Sequence, residues 1–229
     1  MNDQQEYFDA SSHRYQHALT PAFSQQLELS HLERALGLHP KTVLDFGSGS
    51  GRVAIWFLKK GCDVTAVDVS KQSLLDLQDA YKRRKSASWG TLRIATRLPD
   101  ATFDAVVGAD VLHHVDIREY LPKLASLLAP GGRIAFSEPN AWHIPWYLHW
   151  MKEGIPWHIE QGVLQCTMSN LRAVARLAGL GDIRIDGHGL IPTRLLEVFP
   201  GLCTYNALTL GNVQLLRLFA FRFILTARK

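Results

Sequence analysis

Cysteine is scarce in this chain: three in 229 residues, Cys62, Cys166 and Cys203, widely spaced and without a CxxC pair. Such spacing suggests neither a disulfide framework nor a zinc site, and no His cluster stands at ligand distance along the chain, so no metal is expected and a reducing, cytoplasmic setting is the natural inference. Long hydrophobic runs are lacking too. The most apolar stretch, Leu215 to Ala227, is interrupted by Arg217 and Arg222 and falls short of the ~20 residues that span a bilayer, so no transmembrane segment is expected. The opening Met1-Asn2-Asp3-Gln4-Gln5-Glu6 is polar where an export signal has a basic start and an apolar stretch. Charge of one sign is hardly in excess, 25 Lys+Arg against 21 Asp+Glu. The single dense basic run, Lys82-Arg83-Arg84-Lys85, has no aromatic residues interleaved and reads as the solvated end of a helix, not as a nucleic-acid patch. Internal repeats and low-complexity tracts are absent.

What is present is a core-forming chain. Hydrophobic residues make up 47% and charged residues 20%, ordinary globular values. The length is about one and a half times a ~150-residue domain, which fits one large single-core domain with some length to spare. From Lys41 to Glu138 apolar runs alternate with amphipathic stretches, the mark of strand-helix-strand units. Strands are expected at Thr42–Phe46, Asp63–Val67, Thr91–Ala95, Phe103–Val107 and, after a Pro130-Gly131-Gly132 turn, Arg133–Ser137. Helices are expected at Arg52–Lys60, Lys71–Lys85 and Ile117–Leu128. A period of two places Phe219, Phe221, Phe223 and Leu225 on one face of a last strand. Ile183–Ile185 is a further late strand, preceded by a helix with Ser169 as N-cap and Gly179 as its stop. The expected fold is therefore α/β: a doubly wound, Rossmann-like seven-stranded sheet, mostly parallel with an antiparallel C-terminal strand, and helices on both faces. Residues 1–38 form an N-terminal helical cap and 41–140 the binding core. Residues 141–165 and 191–217, apolar yet broken by Pro and Gly, are insertions at the sheet's carboxyl edge.

The sharpest signal is Val43-Leu44-Asp45-Phe46-Gly47-Ser48-Gly49-Ser50-Gly51-Arg52, a strand entering a glycine-rich turn that opens a helix. Glycines there allow positive φ and close backbone approach to a ligand; the bland alternative is a tight turn and nothing more. Asp68 ends the next strand, where a carboxylate can accept both ribose hydroxyls of an adenosine. The glycines follow GxGxG and not the dinucleotide GxGxxG. Asp45, two residues ahead of the loop, would face a pyrophosphate unfavourably but suits a ligand carrying an ammonium and a sulfonium.

With these features the chain resembles the class I S-adenosylmethionine-dependent methyltransferases. The likeness extends in order and spacing through Asp68, Leu98-Pro99 with Phe103-Asp104, Val111-Leu112-His113-His114-Val115 and Leu128-Ala129-Pro130-Gly131-Gly132, and through Tyr7-Phe8-Asp9 with Arg14-Tyr15 in a short leading helix. The resemblance implies S-adenosyl-L-methionine as cofactor. It implies that Asp45, Gly47, Ser48 and Gly49 line its methionine and ribose side, that Asp68 holds the ribose hydroxyls, that Val69, Ala95 and Thr96 flank the adenine, that Gly108 and Ala109 face the sulfonium, and that Tyr15 closes over it. Ile94 stands where many members carry an acid for the adenine amino group.

Methyl transfer from a sulfonium needs positioning and exclusion of water more than a dedicated base. Where the acceptor is a hydroxyl, an imidazole or carboxylate can take its proton; the candidates are His114, Glu138 and His143, each with a structural alternative, with His113 on the acceptor side. Trp142, Trp146 and Trp150 fall on one helical face, a stripe that is either core packing or an aromatic wall for an apolar or ring-bearing acceptor. The expected partner is a small molecule, and the chain has none of the segments used to hold a nucleic-acid base. The apolar insertions also leave room for peripheral contact with a membrane or another protein. O-methylation of a sugar, quinone or polyketide-like acceptor is the leading expectation. A non-catalytic cofactor-binding scaffold and a nicotinamide-dependent oxidoreductase are the alternatives.

Overall fold

The computed structural model describes Glu6, Tyr7, Asp9, residues 21–190, Gly201, Val213 and residues 215–229. Tyr15 and most of the expected second insertion lie outside the described residues. Strands β1 (Thr42–Phe46), β2 (Asp63–Val67), β3 (Leu92–Ala95), β4 (Phe103–Ala109), β5 (Leu128–Pro139), β6 (Gly181–His188) and β7 (Arg222–Arg228) form one sheet in the order β3-β2-β1-β4-β5-β7-β6. Strands β1 to β5 run parallel, and β7 enters antiparallel between β5 and β6. The chain reverses its direction of sheet growth between β1 and β4, which opens a crevice at their carboxyl ends.

Helices α1 (Phe23–Leu36), α2 (Arg52–Lys59), α3 (Lys71–Arg84), α4 (Ile117–Ser126), α5 (Ile144–Lys152), α6 (Trp157–Glu160) and α7 (Met168–Leu177) accompany the sheet. Neighbouring strand residues serve opposite cores. Val43, Val64 and Ala105 pack under α1, α2 and α3, while Leu44, Val106 and Ile134 pack under α4 and α7. Coverage on both faces explains why these strands read as continuous apolar runs. Ser70 caps α3 by accepting the Ser73 N–H (3.1 Å), and Asp116 caps α4 by accepting that of Arg118 (2.9 Å).

Four local expectations change. Pro130-Gly131-Gly132 is no separating turn but an irregularity inside β5, where the register against β4 shifts and Gly131 takes φ +78°. Thr167, not Ser169, caps α7, its Oγ1 accepting the Asn170 N–H (3.2 Å). The last strand begins at Arg222, because Leu216–Phe219 form a 3-10 turn held off the ladder by Asn140, whose amide donates to the carbonyls of Leu218 (2.9 Å) and Ala220 (2.8 Å). Trp142 precedes α5, which opens at Ile144-Pro145, so it does not share the helical face of Trp146 and Trp150. Among the described residues no helix is long and apolar enough to cross a membrane.

Candidate active site

The glycine turn follows β1. Its Gly47 and Ser48 amides donate to the Val67 carbonyl (2.8 and 3.1 Å), fastening the loop to the end of β2. Gly47, Gly49 and Gly51 take φ of +69°, +50° and +98°. A Cβ on Gly47 would lie 2.1 Å from Val111 Cγ2, and one on Gly51 2.2 Å from Leu77 Cδ1, whereas Gly49 faces open space. Packing thus accounts for two of the glycines, and the third looks onto the crevice. There the Gly49 amide donates to Asp68 Oδ2 (2.7 Å) and the Ser70 amide to Asp68 Oδ1 (2.8 Å). Each oxygen retains acceptor capacity for a further donor. Burial raises the Asp68 pKa, these two amides oppose the rise, and the Asp9 charge adds to it; Asp9 is brought close by the Ser70 hydroxyl, which donates to it (2.5 Å).

Asp45 lies beneath this loop, wholly buried. Neither of its carboxylate oxygens has a hydrogen-bond partner, and neither does the buried Ser48 hydroxyl. Burial pushes the Asp45 pKa well above the usual range, with the Asp68 charge adding to the push and the Ala54 amide and Arg52 giving partial relief. An unsatisfied buried polar group costs about 1–3 kcal/mol, so a carboxylate and a hydroxyl left bare at one loop point to a cationic, hydrogen-bonding ligand.

Beyond β4, Gly108 is packed too tightly for a side chain: a Cβ would meet the Phe46 carbonyl at 2.6 Å and Phe136 Cε1 at 2.7 Å. Ala109 follows, then Asp110 in the left-handed region (φ +60°). The Asp110 carboxylate pairs with Arg52 (2.8 Å) and with Arg222. Glu28 of α1 pairs with the same two guanidiniums (3.3 and 3.1 Å) and accepts the Ser137 hydroxyl (2.6 Å). Two acids and two arginines from four elements therefore neutralise one another at the sheet's carboxyl edge. Burial opposes ionisation of Asp110, but Arg222 and Arg52 hold its pKa down at about 2.

A second cluster joins the loop after β4 to the first insertion. Glu138, at the end of β5, is fully buried and accepts the amides of Val111 (3.1 Å) and Leu112 (2.9 Å). Its Oε2 lies 2.7 Å from His113 Nδ1, and His113 Nε2 lies 3.3 Å from Glu160 of α6. Burial alone would lower the His113 pKa; hydrogen bonds to Glu138 and Glu160 carry it up to about 10. His114 Nδ1 lies 3.1 Å from the Ile159 carbonyl, so this nitrogen carries the proton and donates. Burial and the adjacent His113 charge lower its pKa to about 4. Donor atoms of His113, Glu138 and Cys166, and of His113, His114 and Glu160, gather within 4.8 Å. This corrects the expectation from linear spacing that no such cluster exists. Both His113 nitrogens face carboxylates, which an imidazolium satisfies without an ion.

Gly162 seals that junction. A Cβ on it would lie 1.8 Å from the His113 carbonyl, so Gly162→Ala is expected to cost about 2 kcal/mol, in the range of overpacking, read as a lower urea midpoint at unchanged m value.

The remaining predicted residues are dispersed. Val69 stands exposed at the rim, Ala95 is half-buried and Thr96 exposed at the end of β3. His143 is half-buried, its Nδ1 3.3 Å from the Phe219 carbonyl, and burial lowers its pKa. Trp146 stacks on Trp150 (5.6 Å between centroids) and on Phe221 (4.3 Å), and its Nε1–H donates to the Phe221 carbonyl (2.8 Å). Trp150 is buried and Trp142 exposed. The residues missed from sequence are Glu28, Asp110, Glu160 and Arg222. Only Arg52 carried a local cue, its place directly after the glycine turn.

Comparison with known proteins matches residues 44–134 to the family described as Methyltransferase domain. Demethylmenaquinone methyltransferase of Tropheryma whipplei (strain Twist) is 30% identical over 118 residues, 50% of this chain and 49% of that protein. Ubiquinone biosynthesis O-methyltransferase of Idiomarina loihiensis is 31% identical over 164 residues, 66% of each. The chain thus spans about half the length of the first relative. Among solved structures, magnesium protoporphyrin IX methyltransferase of Synechocystis PCC 6803 with bound SAH superposes with a TM-score of 0.65 at 18% identity, covering 100% of both chains; a likeness at that identity speaks to the fold. The matched region holds the glycine turn, both acids and the reversal point of the sheet, and the chain belongs to the class I S-adenosylmethionine-dependent methyltransferases.

Proposed function

We propose that this chain binds S-adenosyl-L-methionine and methylates a small acceptor, with a hydroxyl as the receiving group. The observation that carries the reading is the bare, buried Asp45 carboxylate, with the bare Ser48 hydroxyl, beneath an open Gly49. The cofactor's ammonium answers the first, and Asp68, with acceptor capacity left on both oxygens, suits its ribose hydroxyls. Gly47, Ser48 and Gly49 would then follow the methionine and ribose, Val69, Ala95 and Thr96 would flank the adenine, and Gly108 and Ala109 would border the sulfur. When bound, the cofactor would supply a methyl group activated on a sulfonium for an acceptor oxygen, whose proton the protein would have to take.

On the protein's side the work is orientation and proton removal. His114 is neutral near pH 7 and is our first assignment for the proton acceptor, with His143 as the second. Glu138 and His113, saturated by one another, by loop amides and by Glu160, brace the loop. The stacked pair Trp146 and Trp150 in the insertion at 141–165 is our assignment for the acceptor's wall, and Trp142, exposed and off that helical face, is left out of it. Relatives whose names place them on menaquinone and ubiquinone precursors support a ring-bearing, quinone-like acceptor.

Calorimetry with S-adenosylmethionine and its demethylated product tests the first half, and the absence of heat from the wild type would end the proposal. Asp68→Ala is expected to weaken binding at least tenfold, about 1.4 kcal/mol; unchanged affinity would remove Asp68 from the ribose.

A further inference from the structure

Helix α1 meets the far edge of the sheet through two buried histidines. His31 of α1 and His188 at the end of β6 are each 6% exposed, and their Nδ1 atoms lie 3.1 Å apart. The ring planes are tilted by 47°, so the pair meets through these nitrogens and not by stacking. A neutral imidazole has one donor and one acceptor nitrogen, whereas both nitrogens of an imidazolium donate. The contact therefore has room for a single proton. A proton on both Nδ1 atoms sets two N–H groups head to head. The surrounding charges oppose that second proton. Asp186 of β6 lies on the outer side of His31, 3.9 Å from its Nε2, where Arg217 and Arg184 act on it in turn. His188 faces the positive charges of Arg222 on β7 and Arg34 on α1, besides His31, against Glu28 alone, and Glu28 is already held by Arg52 and Arg222. Burial first, and then these cations, lower the His188 pKa to about 4.

We propose that the His31–His188 pair is an acid-released latch, in which a second proton drives α1 off the sheet before the sheet itself opens. The helix precedes β1 and adds no strand to the ladder, so it can leave as a local opening with the sheet intact. Its Leu29, Leu32 and Leu36 join the same buried core as Val43, and its Glu28, one turn before His31, joins Arg52, Arg222 and Ser137. Departure of α1 takes Glu28 from the sheet's carboxyl edge and leaves both arginines to Asp110, uncovering that side of the crevice. The carboxylates around the latch do not respond between pH 7 and pH 5. Burial opposes ionisation of Glu28 and Asp110, but Arg222 and Arg52 hold both pKa values down, and a hydrogen bond from His31 does the same for Asp186. The histidine pair is what changes charge in that window. The proposal stands apart from the cofactor reading, since neither histidine belongs to the glycine turn or to the strand ends that carry it.

Hydrogen exchange of the full chain at pH 7 and pH 5, with each rate divided by the intrinsic rate at that pH, tests the latch without any ligand. A histidine lowered from 6.5 to about 4 favours the open state by about twentyfold between these two pH values. Protection of the α1 amides is therefore expected to fall about tenfold or more, and at pH 5 to lie about tenfold or more below that of β1 and β4. His188→Gln removes the second site of protonation and should abolish the fall in α1. In His31→Gln the amide oxygen accepts from a protonated His188, so the fall should shrink there too. Circular dichroism at pH 7 shows each variant folded, and His31→Gln carries the test should His188→Gln fail to fold. Equal protection of α1 and β1 in the wild type at pH 5 would overturn the proposal, because the helix would then leave only with the whole fold. So would an α1 protection indifferent to pH, or a fall in either variant as large as in the wild type.

Discussion

Asp45→Asn should make the ligand-free protein more stable at pH 7 and nearly abolish its affinity for S-adenosylmethionine. The two effects share one cause. Asp45 is buried with both oxygens unpartnered, and its folded-state pKa stands well above the ordinary 3.8, first through burial. A carboxylate whose pKa rises on folding binds protons more readily in the native state, so it costs stability above pH 3.8 and the cost fades as pH falls below the raised value. Asn keeps the shape and removes the charge, and relief of about 1–3 kcal/mol is expected. With the ammonium of the cofactor in place the balance inverts, since deleting one partner of a buried, hydrogen-bonded charge pair costs about 2–5 kcal/mol. A loss near 3 kcal/mol is over a hundredfold in Kd. Urea unfolding at pH 7 and pH 4 should show the variant's advantage shrinking with acid, and calorimetry should show the loss of binding. Undiminished affinity would remove Asp45 from the cofactor.

This opposition also explains what was legible in the sequence. Strands β1 and β2 fall at their expected ends, Thr42–Phe46 and Asp63–Val67, because each is an apolar run bounded by residues that stop it. The glycine turn, Asp45 and Asp68 were readable because a single strand-turn-helix unit and the start of the next strand bring them together, within one stretch of local geometry. The ionic cluster was not. Glu28, Arg52, Asp110 and Arg222 meet only once α1, α2, the end of β4 and β7 converge on one sheet edge, and nothing in the local period of any of them marks a charge that will join such a network. The same holds for Glu160. It looks like an ordinary polar residue at the end of a short helix, yet it sits against His113. Local errors had local causes: Thr167 and Ser169 are both competent N-caps, and only the path of the chain from Cys166 selects the first.

Breaking the Glu138–His113–Glu160 bracket should produce the largest loss of stability, with a pH signature of its own. His113→Ala leaves two buried carboxylates facing each other, and removing one partner of a buried pair typically costs about 3–5 kcal/mol. In the wild type the His113 pKa rises from 6.5 to about 10 on folding. Its contribution is therefore complete below pH 6.5 and is lost as pH climbs toward 10, at up to about 1.4 kcal/mol per pH unit. His114 and His188 behave oppositely: each is lowered to about 4, with burial the first cause, so each withdraws stability as pH falls from 6.5 toward 4. Stability should accordingly peak near pH 6.5 and decline on both sides. Glu160→Gln should flatten the alkaline decline while leaving the acid limb from His188 in place. His113→Ala should flatten it further and also soften the acid limb, because the charge that helps depress His114 is gone. Urea midpoints from pH 4 to pH 10 resolve these slopes, and an alkaline decline in His113→Ala as steep as in the wild type would show that another group carries it. The same bracket pins α6 and the segment after it against the loop that follows β4, and Trp146 and Trp150 of α5 lie along the chain between its members Glu138 and Glu160. Its loss should therefore weaken acceptor binding before it touches cofactor affinity, a split that calorimetry with S-adenosylmethionine on Glu160→Gln checks directly.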